Sequence, residues 1–208
     1  MRKIFVAAVA VLLCVSISFA QTTKPKTAFG FKAGFNVSSF RTAVDYENFD
    51  AKLKAGFALG AFVDIPVAGK FSVQPEFIYS QMGAKAFDDF FGEKTYRLNY
   101  FSVPLLVKYE ACRNFRVFVG PQLDFLIRGK EEDQLEHTTI ITNTVKDFDF
   151  AVTAGFEFVL SRNITAGARY IHGTQDVSTT LNENTMFNQG VHFSFAWKLL
   201  KRVKKAKK

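Results

Sequence analysis

Past residue 27 the chain alternates apolar residues with polar or very small ones, the period-2 pattern of strands whose two faces meet different surroundings. Phe29, Phe31, Ala33, Phe35 and Val37 fall on one face, and Gly30, Lys32, Gly34, Asn36 and Ser38 on the other. The pattern returns with Phe57, Leu59, Ala61, Val63 and Ile65 set against Gly56, Ala58, Gly60, Phe62 and Asp64. Further strands are predicted at 71–83, 97–109, 115–128, 148–160, 164–173 and 189–199, which makes eight.

The connections alternate as well. Long polar segments at 39–54, 84–96, 129–147 and 174–188 take turns with short reversals at 66–70, 110–114 and 161–163. Pro66 with Gly69, Asn114, and Ser161 with Asn163 supply turn chemistry at the short ones. Long loops at one end, tight turns at the other and an even strand number are the habit of bacterial membrane barrels, in which both termini return to the periplasm. The expected fold is all-β: an eight-stranded antiparallel up-and-down transmembrane β-barrel with long extracellular loops and short periplasmic turns.

Residue size decides which face is inside. An eight-stranded barrel has an interior that side chains only just fill. Phe115, Val117, Val119, Leu123, Phe125, Phe148, Phe150, Phe156, Phe158, Phe193, Phe195 and Trp197 would overfill it, so this face is assigned to lipid. The opposite face offers glycines at 30, 34, 60, 120, 155 and 167, with room between them for charges of both signs. Lys32, Asp64, Glu76, Lys108, Arg116, Asp124, Arg128, Asp149, Glu157 and Arg169 are the expected lumen network, basic and acidic in equal number so that they neutralise one another. Pro75, Pro104 and Pro121 lie within these strands, where each removes a ladder donor, and local bulges are expected there.

The ends of the chain read differently. Arg2 and Lys3 precede an apolar stretch from Ile4 to Phe19 that closes on Ser18-Phe19-Ala20. That is an export signal, residues 1–20, with cleavage expected after Ala20. Cys14 belongs to its apolar stretch, so Cys112 is left as the only cysteine of residues 21–208. No intramolecular disulfide can then form, and a lone thiol more often packs than reacts. After the barrel domain, residues 21–199, comes a basic tail, 200–208; between Lys198 and Lys208 there are seven basic residues and no acid. The formal charge of +8 therefore comes from the two ends, and the body is close to neutral. An exported tail of this kind suits anionic lipid or peptidoglycan rather than nucleic acid, and outer-membrane lipids are the partner of the barrel itself.

Catalytic chemistry is thin. No nucleotide-binding glycine signature and no His/Cys/carboxylate set with metal spacing stand out, so no cofactor, metal or catalytic residue is assigned. His137 reads as a solvated loop residue beside Glu136, and His172 sits at a strand end. His192 and Ser194 have the spacing of a lipid-deacylase pair but fall on the lumen face. Lys130-Glu131-Glu132-Asp133 reads as a solvated loop rather than a calcium site.

Gly30-Phe31-Lys32-Ala33-Gly34, Gln74-Pro75-Glu76-Phe77 running into Tyr79-Ser80-Gln81-Met82-Gly83-Ala84-Lys85, and Val103-Pro104-Leu105-Leu106-Val107-Lys108-Tyr109 occur in that order, followed by Phe118-Val119-Gly120-Pro121 and Ala168-Arg169-Tyr170. In this the chain resembles the PorT-like outer-membrane β-barrel family of Bacteroidetes. The resemblance implies an outer-membrane location and an eight-stranded barrel; one member of that family is tied to protein secretion and most have no assigned activity. The chain departs from the family where its last strand runs on into the basic tail. Three function classes follow: a non-enzymatic structural or interaction barrel acting through its loops, an accessory factor for secretion, and a small channel, against which a charge-filled lumen argues.

Overall fold

A computed structural model describes residues 27–42, 50–88, 92–132, 138–142, 145–176 and 186–199. The strands are β1 (Ala28–Thr42), β2 (Asp50–Lys52), β3 (Lys54–Ala68), β4 (Phe71–Asp88), β5 (Gly92–Cys112), β6 (Phe115–Glu132), β7 (Thr138–Ile140), β8 (Phe148–Val159), β9 (Ile164–Gly173) and β10 (Met186–Leu199). Eight of them are long, and β2 and β7 have three residues each.

Each long strand pairs antiparallel with its long neighbour in sequence, and β1 closes the sheet against β10 with Phe29 opposite Leu199 and Thr42 opposite Met186. Closure leaves the long strands no free edge, which matters because an unpaired edge in hydrocarbon has no water to satisfy it. The two faces separate cleanly. Phe31, Phe57, Phe156, Phe195 and Trp197 are exposed on the outside, while Lys32, Glu76, Lys108, Glu157 and Arg169 are buried within. Outer aromatic rings meet across the ladders: Phe35 stacks on Phe193 and Phe71 meets Tyr109, each at 5.0 Å between ring centroids. An apolar exterior around a polar interior is the inverse of a water-soluble barrel.

At the short-turn end the local chemistry is plain. Gly69 takes φ +53° between β3 and β4. In the β8–β9 turn, Ser161 Oγ accepts from the backbone N–H groups of Asn163 at 3.3 Å and Ile164 at 3.1 Å. The Asn163 amide then donates to the carbonyl of Lys198 at 2.9 Å, fastening this turn to β10.

In the fold the structure corrects three expectations. The segment 84–96 is mostly hairpin, not loop, for β4 and β5 stay paired as far as Asp88 and Gly92. Beyond the point where β3 and β8 stop flanking them, β2 adds to β4 and β7 adds to β6, so a small sheet stands above the rim on that side. Secondly, the three prolines do not bulge their strands. The β3–β4 ladder passes from Phe62↔Glu76 to Ile65↔Val73 in constant register, skipping the two pairs beside Pro75. Beside Pro104 the β4–β5 ladder likewise passes from Pro75↔Leu105 to Ile78↔Ser102, and beside Pro121 the β5–β6 ladder passes from Pro104↔Gln122 to Val107↔Val119. A missing N–H costs hydrogen bonds here, not register. Register does shift at Pro66/Ala68, Asn99/Tyr100 and Glu110/Cys112. Thirdly, Cys112 is exposed at the last of these, at the end of β5, and does not pack. Lys198 lies in β10, within the last strand expected from the sequence, and pairs with Asp64.

Residues 1–26 and 200–208 lie outside the described residues, and so do the expected signal sequence and basic tail. His137 lies outside them as well.

Candidate functional site in the barrel lumen

Among the described residues chemistry-bearing side chains converge in the interior, which has three levels. Nearest the short turns is a connected ionic lattice. Glu76, wholly buried on β4, takes Lys32 of β1 on Oε1 and the Arg169 guanidinium of β9 on Oε2, the latter at 2.8 Å. Gln74, two residues earlier on the same face, donates to Glu76 Oε1 at 2.6 Å and accepts from Lys108 Nζ of β5 at 2.9 Å. Lys108 also pairs with Glu157 of β8, which receives Arg116 of β6 at 3.3 Å. Arg116 reaches Glu110 at 3.3 Å as well, and Lys198 of β10 pairs with Asp64 of β3. All eight long strands thus contribute a charged side chain. The physical logic is neutralisation: a carboxylate without water needs donors on both oxygens, and Glu76 has them.

The middle level is polar and partly acidic. Asn36 donates to Ser80 Oγ at 2.9 Å and to the Gln81 carbonyl at 3.0 Å, and Ser38 Oγ bonds the backbone of Gly83. Asp124 and Asp149 stand opposite each other on β6 and β8. Gln122 donates to Asp124, and Asn188 bridges Asp149 Oδ2 and the Tyr100 hydroxyl at 3.0 Å each. His192 is buried here, and Ser194, two residues on along the same face, is partly buried.

Toward the long loops the lumen turns apolar. Phe40, Met82, Ala84, Leu98, Tyr100, Ala151 and Ile171 form one buried cluster, with Tyr96, Leu126, Ile141, Val145 and Met186 packed on it. This stopper was not expected from an interior read as polar. Its members share strand parity with the lumen charges, so alternation alone would have found them; their size and hydrophobicity pointed the other way.

Of the ten residues expected to form the lumen network, the structure joins Lys32, Glu76, Lys108, Arg116, Glu157 and Arg169 in one lattice and sets Asp64 beside Lys198. Asp124 and Asp149 are buried, and among the described residues neither is in an ion pair. Arg128 is the correction: it is exposed, and so is its neighbour Ile127. The β5–β6 register shift places Tyr100 opposite Leu126 but Asn99 opposite Arg128, and the extra residue breaks the alternation that would have turned Arg128 inward. Gln74, Gln122, Asn188 and Lys198 were missed, although each has the parity of a lumen position on its own strand.

Two pockets adjoin the lattice. One, of about 10 Å³, lies among Lys32, Phe118, Glu157 and Arg169. The other, about 140 Å³, opens at the short-turn end between Asp64, Lys70, Lys108 and Arg116. Among the described residues no three His, Cys, Asp or Glu side chains converge as a metal site.

The sequence profile described as "Outer membrane protein beta-barrel domain" matches residues 19–178. Among solved structures, that of Neisserial surface protein A shares 10% identity over 84% of this chain and 100% of its own, with a TM-score of 0.54. The attachment invasion locus protein Ail of Yersinia pestis shares 12% identity over 84% of this chain and 100% of its own, at a TM-score of 0.48. At such identities the first likeness speaks for the fold alone. No curated protein matches the sequence.

Proposed function

Because the chain belongs to the outer membrane protein β-barrel domain family, we propose that it is a non-enzymatic barrel whose body is a sealed membrane anchor and whose activity lies in what its long loops contact. The observation that carries this reading is the lumen of the described residues: an ion-pair lattice fills one end, with a pocket of about 10 Å³ beside it, and an apolar stopper fills the other. A conducting pore needs a continuous aqueous path, and eight strands enclose too little space for one once these side chains are in place. The pairing of His192 with Ser194 does not support lipid chemistry, since both residues have the lumen parity and no acyl chain would meet them there.

The long-loop end is taken as extracellular on the asymmetry of the connections, and export is taken to follow cleavage after Ala20. The basic tail would then lie in the periplasm, where each charge near an anionic surface is worth on the order of 1 kcal/mol within a Debye length. Anionic lipid and peptidoglycan both offer such a surface. Planar-bilayer recording tests the sealed barrel: no conductance steps are expected, and steady open-channel current would refute it.

A second reading, a PorT-like accessory role in protein secretion, is favoured by the ordered motifs from Gly30-Phe31-Lys32-Ala33-Gly34 to Ala168-Arg169-Tyr170. Gene deletion followed by profiling of secreted proteins separates the two. An unchanged profile supports the anchor, and selective loss of secreted proteins supports the accessory role.

A further inference from the structure

With Arg128 turned out and Lys198 turned in beside Asp64, the charges inside the barrel still match in number, but not in place. Asp124 and Asp149, each 1% exposed, occupy directly opposed positions on β6 and β8. Opposed side chains on neighbouring strands have Cβ atoms about 4.5–5.5 Å apart, so two carboxylates there repel unless something positive lies between them. Among the described residues neither is in an ion pair. Arg169 is engaged with Glu76, and Lys146 with Asp176 at 3.6 Å. The side-chain hydrogen bonds they receive come from neutral amides: Gln122 Nε2 at 2.9 and 3.0 Å from the Asp124 oxygens, and Asn188 Nδ2 at 3.0 Å from Asp149 Oδ2.

A second observation is independent of the acids. Around this pair, Gln122 Oε1, Ser102 Oγ and Asp149 Oδ1 are buried without hydrogen-bond partners. Ser102 stands opposite Asp124 on β5, on the flank away from Asp149, and is 1% exposed; Gln122 is fully buried. A proton shared by the two carboxylates would serve Asp149 Oδ1 but would leave the amide oxygen of Gln122, which can only accept, with nothing to accept from. A cation serves them all.

We infer that Asp124 and Asp149, with Gln122 Oε1 and Ser102 Oγ, form an intramural site for a hard divalent cation, Ca²⁺ in preference to Mg²⁺. The donors are all oxygen, which excludes soft metals, and two carboxylates balance the charge of one divalent ion. Ca²⁺ accepts irregular mixtures of carboxylate, amide and hydroxyl oxygens, whereas Mg²⁺ demands near-octahedral geometry and keeps its waters. Bound there, the ion would tie β5, β6 and β8 together beneath the apolar stopper, supplying the positive charge that no ion pair brings to these two acids.

The test is to refold the protein in detergent in EDTA or in Ca²⁺, and to compare unfolding midpoints and Tb³⁺ luminescence sensitised by Tyr100, whose hydroxyl is one Asn188 side chain from Asp149. Ca²⁺ should raise the midpoint and displace Tb³⁺. Asp149→Asn should weaken binding about tenfold or more, since it removes one of two charged ligands, and Ser102→Ala should weaken it less. Glu131→Gln, at the rim, should leave it unchanged. A wild-type midpoint indifferent to Ca²⁺, or Tb³⁺ binding that survives Asp149→Asn undiminished, overturns the site. Should Asp149→Asn fail to fold, the wild-type titration and Ser102→Ala decide the question.

Discussion

Glu76 is the side chain whose loss the lumen can least absorb. It is wholly buried, and it holds two cations from strands on either side of the closure. Glu76→Ala strands Lys32 and Arg169 together and should cost about 3–5 kcal/mol, the penalty of breaking a buried pair by removing one partner. Lys94→Ala removes a partly exposed partner of Glu131 at the rim and should cost no more than about 1 kcal/mol. Denaturant unfolding in detergent micelles compares them, and equal costs would mean that the lattice is not dry. Much at this scale was legible, because a charge opposite glycine on a Phe-rich strand has only one place to go. Arg128 was not, because its orientation depends on one extra residue at Ile127 and no local property of Arg128 records that insertion.

At the scale of the element, alternation carried the strands and their faces, and β8 shows why. Val152, Ala154, Phe156 and Phe158 are exposed while Ala151, Thr153 and Glu157 are buried, without a break. Phe156→Arg should therefore oppose insertion by roughly 2–4 kcal/mol if it lies near mid-bilayer. Thr153→Arg fails differently, by overpacking a fully buried site. Folding yields into lipid vesicles of increasing thickness separate the two: only the Phe156 variant should worsen as the bilayer thickens, and parallel behaviour would sink the face assignment. The β4–β5 extension was not legible, since a paired hairpin above a membrane meets water on both faces and loses its alternation. Gly83 on β4 takes φ +137°, and a Cβ there would fall 2.0 Å from the Tyr96 carbonyl oxygen. Gly83→Ala should cost about 1–3 kcal/mol by its strain alone, measured as a lower unfolding midpoint.

For the molecule as a whole, loop lengths and strand number gave the closed barrel. The stopper was beyond them, because an apolar residue of lumen parity looks like an error in the pattern until its neighbours from other strands are seen beside it. The tail should be separable from all this. Deleting residues 201–208 should leave folding in detergent intact and reduce salt-dependent binding to anionic vesicles or peptidoglycan, and failure of the truncated barrel to fold would mean that β10 depends on residues beyond Leu199. Lipid should surround the barrel, and its inside should be sealed. A spin-label scan along Ala151–Phe158 in bilayers, with Cys112 replaced by Ser, tests both halves through collision with oxygen and with a water-soluble nickel reagent. High oxygen accessibility is expected at 152, 154, 156 and 158, and protection from both reagents at 151, 153 and 157. Nickel access at the inward positions would reveal a water-filled channel, and oxygen access at those positions instead of the outward ones would turn the barrel inside out.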